Sequence, residues 1–400
     1  MKTVEETLSA LLSQLPPDAP QIRIPLHAAL GRVLAEDIYS TIDVPPADNS
    51  AVDGYVFRAA DATPGALHLP ISQRIPAGKA PTPLLAGSAA RIFTGASIPD
   101  GADTVLMQED CQEQEGSLRS SWRFQLGDNV RQRGQDISAG SLVLEKGARL
   151  RPQELGFLAS VGHATVPVRR LRVAIIGTGD ELVEPGKPLG PAQIYNSNRF
   201  TLIGLLQALG CEWFDAGTVA DKPDALRSRL LEILPQVDAV ISTGGVSVGE
   251  EDHVRAVLAE LGRIELWKLA IKPGKPFAFG WLQNKPYFGL PGNPAAVLVT
   301  FLILVRPFLM CWMGRRSTNA EKNLLARANL SITKPGKRQL YLQARSVLRD
   351  GELWLETATQ QSSGVLSSSC WAEGLAIVPV EATVAKGDMV EFRTFSSLLS

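Results

Sequence analysis

Cysteine is scarce in this chain of 400 residues: Cys111, Cys211, Cys311 and Cys370 stand far apart and form no Cys-x-x-Cys pair. That spacing argues against a disulfide framework and against a cysteine zinc site. Histidine is equally sparse, and His27, His68, His163 and His253 are too dispersed to suggest a histidine-rich transition-metal site. Any cation is expected to meet carboxylate oxygen. An excess of charge is also missing, since 40 basic residues face 41 acidic ones for a net charge of −1 and a pI of about 6.5. No global field then favours nucleic acid or an anionic membrane as partner. Long apolar runs are lacking too. The most apolar stretch, 295–313, meets Arg306 after eleven residues and then Pro307, whereas a bilayer span needs about 20 apolar residues. It reads as a buried core helix. Residues 3–15 carry Glu5 and Glu6, which a signal-peptide core would not. A cytoplasmic protein with no membrane segment is expected.

What the chain has in quantity is apolar residues, 45%, with 35 glycines and 27 prolines. This composition suits two to four domains with real cores and many tight turns. At the N-terminus, Val4, Leu8, Leu11, Leu12 and Leu15 share a helical face, and Thr3 with Glu6 fits a capping box. Residues 41–140 alternate in short stretches, such as 90–93 and 104–108, and predict a β-rich domain; 111–119 is polar and reads as a mobile hairpin or loop. Segments 21–40 and 141–170, the latter with a short helix at 152–161, are expected to form a linking domain. From 171 to 320, strand, glycine-rich turn and helix alternate, which predicts a mostly parallel, doubly wound α/β domain. Alternation returns over 321–400, as expected for a small β-barrel or sandwich.

Ligands of such α/β sheets bind beyond the carboxyl ends of the strands, and four exits there have unusual chemistry. Gly177-Thr178-Gly179-Asp180-Glu181 offers backbone access, a hydroxyl and carboxylate, though a tight turn explains it equally well. Gly244-Gly245-Val246-Ser247-Val248-Gly249-Glu250, with Asp252 beyond, fits an anion nest beside a hard cation, yet it lacks the Gly-Lys-Ser/Thr of a P-loop. Lys268 precedes Lys272-Pro273-Gly274-Lys275-Pro276, in which two prolines stiffen the frame of two ammonium groups. Leu290-Pro291-Gly292-Asn293-Pro294 places Asn293 at an N-cap and Pro294 at the first helical position, which aims helix amides and a positive dipole end at the crevice. Together these favour a phosphorylated or oxyanionic substrate with a divalent cation. In the β-rich domain, Asp48-Asn49-Ser50-Ala51-Val52-Asp53-Gly54-Tyr55, Phe93-Thr94-Gly95-Ala96 and Arg131-Gln132-Arg133-Gly134-Gln135-Asp136-Ile137 are turn-like. For Arg131, Arg133 and Asp136, spacing alone points to a salt-bridged turn.

These seven motifs, in their order along the chain from Asp48 to Pro294 and across nearly the whole of it, make it resemble the molybdopterin molybdenumtransferase (MoeA) family, which includes the E domain of gephyrin. The resemblance implies an enzyme that inserts molybdate into adenylylated molybdopterin, releasing AMP and the molybdenum cofactor with help from Mg2+ or Zn2+. It implies a homodimer whose active site lies between the α/β domain of one subunit and the β-rich domain of the other, an upstream molybdopterin adenylyltransferase, and downstream cofactor acceptors. By position it assigns Asp53, Thr94, Asp136, Glu181 and Asp252 to catalysis, and Glu181, Asp221 and Asp252 to the metal. Substrate binding falls to Asp221, Gly244, Gly245, Ser247, Lys268, Lys272, Lys275, Pro291, Pro294 and, as a weaker match, Ser363. The sequence departs from the family at Asn196, where Asp is usual, at His253 for Tyr, at Gln135 for Glu, and over Cys370-Trp371-Ala372-Glu373, which lacks an Ala-Asn pair. Two alternatives are an adenylyltransferase, which shares the α/β domain but has no use for Asp53 and Asp136, and a non-catalytic carrier or scaffold binding molybdopterin.

Overall fold

Apolar runs bounded by glycine-rich turns build the central sheet. The computed structural model describes residues 1–220, 222–245, 253–315 and 323–399. The chain divides into two compact units, one of Met1–Glu36, Lys146–Pro152 and Thr165–Ser400, the other of Asp37–Glu145 and Gln153–Ala164.

In the first unit, six strands lie in the order Glu212–Val219, Arg172–Thr178, Ala239–Thr243, Lys285–Leu290, Pro276–Leu282 and Gly262–Lys268. The first four are mutually parallel, and the last two add on as an antiparallel edge. Alternate residues point to opposite faces of a strand, so each inner strand is buried twice. Ala174, Ile176 and Val240 pack with Leu226 and Leu230 of helix Pro223–Ile233 and Leu258 of helix His253–Leu261. Val173, Ile175 and Ile241 face Leu202 and Leu206 of helix Ser197–Ala208 and the long helix Pro294–Trp312.

That long helix is apolar enough to cross a bilayer by length, but 83% of its apolar window is buried inside the fold. It is the core helix that its interruption by Arg306 and Pro307 predicts. The turn Phe301–Val305 widens to π geometry just ahead of Pro307. Proline lacks an N–H and crowds the carbonyl four residues back, and the wider turn absorbs the misfit. Phe308 is fully buried, with its ring 5.7 Å from Phe279 and 5.2 Å from Phe288. The N-terminal helix Val4–Leu12 opens with the expected capping box, Glu6 N–H to Thr3 Oγ1 at 3.1 Å and Thr3 N–H to Glu6 Oε2 at 2.9 Å. Its Leu11 joins the same core.

Strands between Leu324 and Thr394 form a closed barrel. Strand Gln339–Arg349 pairs with both Glu352–Thr357 and Gly374–Val378, and Leu324–Ala328 and Met389–Thr394 complete the ring. Ile271 and Lys272 add to its edge in parallel, opposite Gln339 and Leu340. This pairing decides where the first lysine of the Pro-Gly loop lies. In the second unit, six strands run Thr104–Met107, Gly54–Phe57, Ala89–Ile92, Leu67–Ile75, Ser117–Ser120 and Gln112–Gln114. The polar stretch 111–119 is therefore part of a regular sheet. Glu115 (φ 50) and Gly116 (φ 75) make its two-residue left-handed turn, the conformation that matches strand twist in a hairpin.

Candidate functional site

Three neighbouring parallel strands end side by side, so Gly177-Thr178-Gly179, Gly244-Gly245 and Pro291-Gly292 share one rim. Gly244 has φ +87, and a Cβ there would come within 2.6 Å of the Thr178 carbonyl oxygen. Glycine is needed for both reasons. Asn198 Nδ2 donates to Gly292 O at 2.6 Å and steadies the third exit. The exposed Glu181 carboxylate folds back over Gly179, where any side chain would displace it. Asp221, Ser247 and Asp252 lie outside the described residues.

Beside this rim lies a cleft of about 700 Å³ lined by Lys272, Lys275, Pro291, Asn293, Arg338 and Ser363, among others. Among the described residues three cationic side chains line it and no carboxylate does, a lining suited to an oxyanion. The structure thus brings together Lys272, Lys275 and Pro291 of the motifs with Ser363, the weaker match in the last domain. Lys268 is not among the lining residues; it ends the antiparallel edge strand opposite Pro276.

The helix at Pro294 corrects one expectation. Asn293 has the backbone of an N-cap, but its side chain caps no helix amide. Instead Asn293 Nδ2 donates to Ser363 Oγ at 3.0 Å, and the Ala295 N–H donates to Ser363 O at 2.9 Å. Pro294 has no N–H to give. The barrel therefore caps the helix, which leaves the side chains of the cleft, more than the helix amides, open to a ligand.

Arg338, Ser362 and Gln361 escaped the motif reading. Gln361 accepts from Gln343 N–H at 3.0 Å and donates to Gln343 O at 2.9 Å and Ala358 O at 3.1 Å. It pins the loop that presents Ser362 and Ser363. A signal for Arg338 did exist: Lys334-Pro335-Gly336-Lys337 repeats Lys272-Pro273-Gly274-Lys275 and leads directly into it.

In the second unit, Gly54 pairs with Ile92, so Asp53 and Thr94 flank adjacent strand ends. Asp53 Oδ1 accepts from both the Thr94 N–H at 2.8 Å and the Thr94 hydroxyl at 2.7 Å. These two bonds, the amide first, hold the Asp53 carboxyl below its ordinary range, and the Arg91 charge adds to them. Arg91 donates to Gly54 O and to Gln108 Oε1, and the Gln108 N–H holds Asp53 O at 3.0 Å. Asp136 is exposed. The Arg133 turn is salt-bridged, but to Asp43, with Nε 2.5 Å from Oδ2, rather than to Asp136. Asp48 accepts from the Arg133 N–H at 2.7 Å. Asp136 is therefore not consumed by the ion pair that its spacing suggests.

Family models match nearly end to end: the MoeA N-terminal region (domain I and II) over residues 2–162, a probable molybdopterin binding domain over 174–310, and the MoeA C-terminal region (domain IV) over 326–395. A molybdopterin molybdenumtransferase of Haemophilus influenzae is 39% identical over 404 residues, with both chains covered completely. The chain belongs to the molybdopterin molybdenumtransferase (MoeA) family. A relative of the same name from Nostoc is 37% identical over 96% of this chain and 91% of that one. The fold agrees: the crystal structure of a molybdopterin biosynthesis MoeA protein from Pyrococcus horikoshii superposes with a TM-score of 0.81 at 28% identity, over 99% of this chain and all of that one.

The departures from the MoeA pattern have structural uses. Asn196 is 1% exposed; its Oδ1 caps the Arg199 N–H at 3.2 Å and its Nδ2 donates to Thr218 Oγ1 at 3.0 Å. A carboxamide supplies both a donor and an acceptor without a buried charge. Gln135 Oε1 accepts from the Gln132 N–H at 3.2 Å. Trp371 lies under Arg345 at 4.6 Å, and Glu373 accepts from Ser346 N–H and Oγ. The His253 side chain lies outside the described residues.

Proposed function

We propose that this chain inserts molybdate into adenylylated molybdopterin, releasing AMP and the molybdenum cofactor. The observation that carries this reading is the cleft of Lys272, Lys275, Arg338 and Ser363, lined by no carboxylate among the described residues, in a chain of the MoeA family. Molybdate is a tetrahedral dianion, and the second substrate carries a phosphate anhydride. Two ammonium groups and a planar guanidinium fork match such oxygens. Ser363 Oγ already accepts from Asn293, which leaves its own proton for an anionic oxygen. The Gly244-Gly245 turn, with Ser247, is the place for the pterin and its phosphate.

Asp53, with Oδ1 fixed by Thr94, keeps its second oxygen for substrate or cation, and Asp136 adds a further carboxylate. Glu181, Asp221 and Asp252 are the metal ligands of this reading. Among the described residues no group of three or more potential ligands forms a ready cage. Magnesium suits that arrangement, since it retains waters and takes one or two carboxylates plus substrate phosphates. When bound, the cation would neutralise phosphate charge as the anhydride breaks.

We further propose a homodimer in which the acids of the β-rich domain serve the α/β domain of the other subunit, fed by an adenylyltransferase and drained by cofactor acceptors. Four free cysteines fit a reducing cytoplasm. Supplying adenylylated molybdopterin, Mg2+ and molybdate should yield molybdate-dependent AMP and active cofactor, whereas ATP with molybdopterin should yield neither. Turnover with ATP alone would make the protein an adenylyltransferase, and binding without any turnover would make it a carrier.

A further inference from the structure

We propose a second oxyanion site in a separate pocket of about 270 Å³ on the barrel, lined by Lys272, Lys334, Lys337 and Arg338 together with Ile332 and Pro379. Among the described residues four cationic side chains surround it and no carboxylate lines it. Like charges so gathered repel one another unless an anion is present. Lys272 and Arg338 also line the larger cleft, so the two pockets share a wall of cationic groups. The repeated Lys-Pro-Gly-Lys sequence supplies one pair of ammonium groups to each.

The loop is a held frame. Ile332 and Val384 exchange backbone bonds of 2.7 and 3.0 Å at its start, and the Glu381 N–H donates to Gly336 O at 2.8 Å in its middle. At its end the Gln339 N–H donates to Ala270 O at 2.8 Å. Pro335 removes further freedom. The geometry suits a tetrahedral dianion, either free oxyanion on its way to the cleft or a phosphate group of a substrate already seated there. The destination rests on the reading of the cleft given above; binding to the pocket does not.

Titration of the full-length protein with molybdate alone should show two sites. Lys334→Ser/Lys337→Ser should retain one, with an unchanged thermal unfolding profile because both side chains are exposed. In turnover, the double variant should raise the KM of one substrate about 3- to 10-fold, more at low salt, with kcat within about twofold. A rise confined to molybdate assigns the pocket to free oxyanion, and a rise confined to adenylylated molybdopterin assigns it to a substrate phosphate. If stoichiometry and both KM values stay unchanged, the second site is wrong. One wild-type site that Lys275→Ala removes and the double variant spares overturns this pocket and leaves the cleft standing. A wild-type stoichiometry of zero overturns both.

Discussion

The acidic and basic halves of the proposed centre are built in opposite ways. Asp53 and Thr94 sit just beyond paired strands, and a short hydrogen-bonded pair fixes one carboxylate oxygen. Lys272, Lys275 and Arg338 come from distant parts of the chain. Proline frames, one parallel pairing at Ile271–Lys272, and a cap that the barrel places on the long helix align them. A carboxylate is thus held by local bonds, while a basic cleft depends on how a whole domain is packed. The first should tolerate loss of charge without unfolding; the second should fail when its support fails.

The largest expected effect tests that support. Phe308→Ala empties a fully buried site against Phe279 and Phe288 and should cost about 3–5 kcal/mol in denaturant unfolding. A loss under about 1 kcal/mol would mean that the helix needs no such core. Next is Asp53→Ala, expected to lower kcat/KM about 100-fold while circular dichroism melting barely changes. Unfolding of this variant would show Asp53 to be structural and would break the contrast.

Ser363→Ala removes the acceptor for Asn293 but keeps the carbonyl that caps Ala295. It should raise the KM for molybdate about 10- to 100-fold, the worth of one hydrogen bond to a charged group, with kcat little changed. An unaltered KM would place the ligand elsewhere in the cleft. The smallest effect belongs to Thr94→Val. It deletes the hydroxyl bond and spares the amide, which is the larger cause of the lowered Asp53 pKa. The Asp53 pKa, followed by carboxyl NMR, should move up part of the way towards its ordinary value. Because folding depresses this pKa, the pair stabilises the fold fully above the unfolded carboxyl value near pH 4 and ceases to do so as acid passes the folded value. A downward shift in Thr94→Val would contradict the assignment of cause.

The same contrast explains how far the sequence could be read. Local pattern marked the α/β sheet within 171–320 and the barrel strands within 321–400, and the capping box at Thr3 needs only four residues. Asp53 and Thr94 were each legible in a motif, although their pairing across 41 residues was not. Gln361 carries no local signature of function and Arg338 only the repeated Lys-Pro-Gly-Lys ahead of it, because what brings both to the cleft is the barrel's pairing with Ile271 and Lys272. Lys268 looked like its neighbours in composition and was separated from them by strand geometry. At 111–119 the hairpin was legible as one of two forms, but its place in a six-stranded sheet was not, because that order comes from its partners and from a left-handed Glu115-Gly116 turn rather than from apolar alternation.

Mixing two inactive variants tests most directly the claim that the acids of one subunit and the lysines of the other form one reaction centre. Asp53→Ala and Lys275→Ala are combined by co-expression, and molybdate-dependent AMP release is measured. Random pairing into symmetric dimers should restore roughly a quarter of wild-type activity, because each mixed dimer regains one intact centre. If the mixture stays as inactive as its parents, both residue sets act within a single subunit and the inter-subunit centre is wrong.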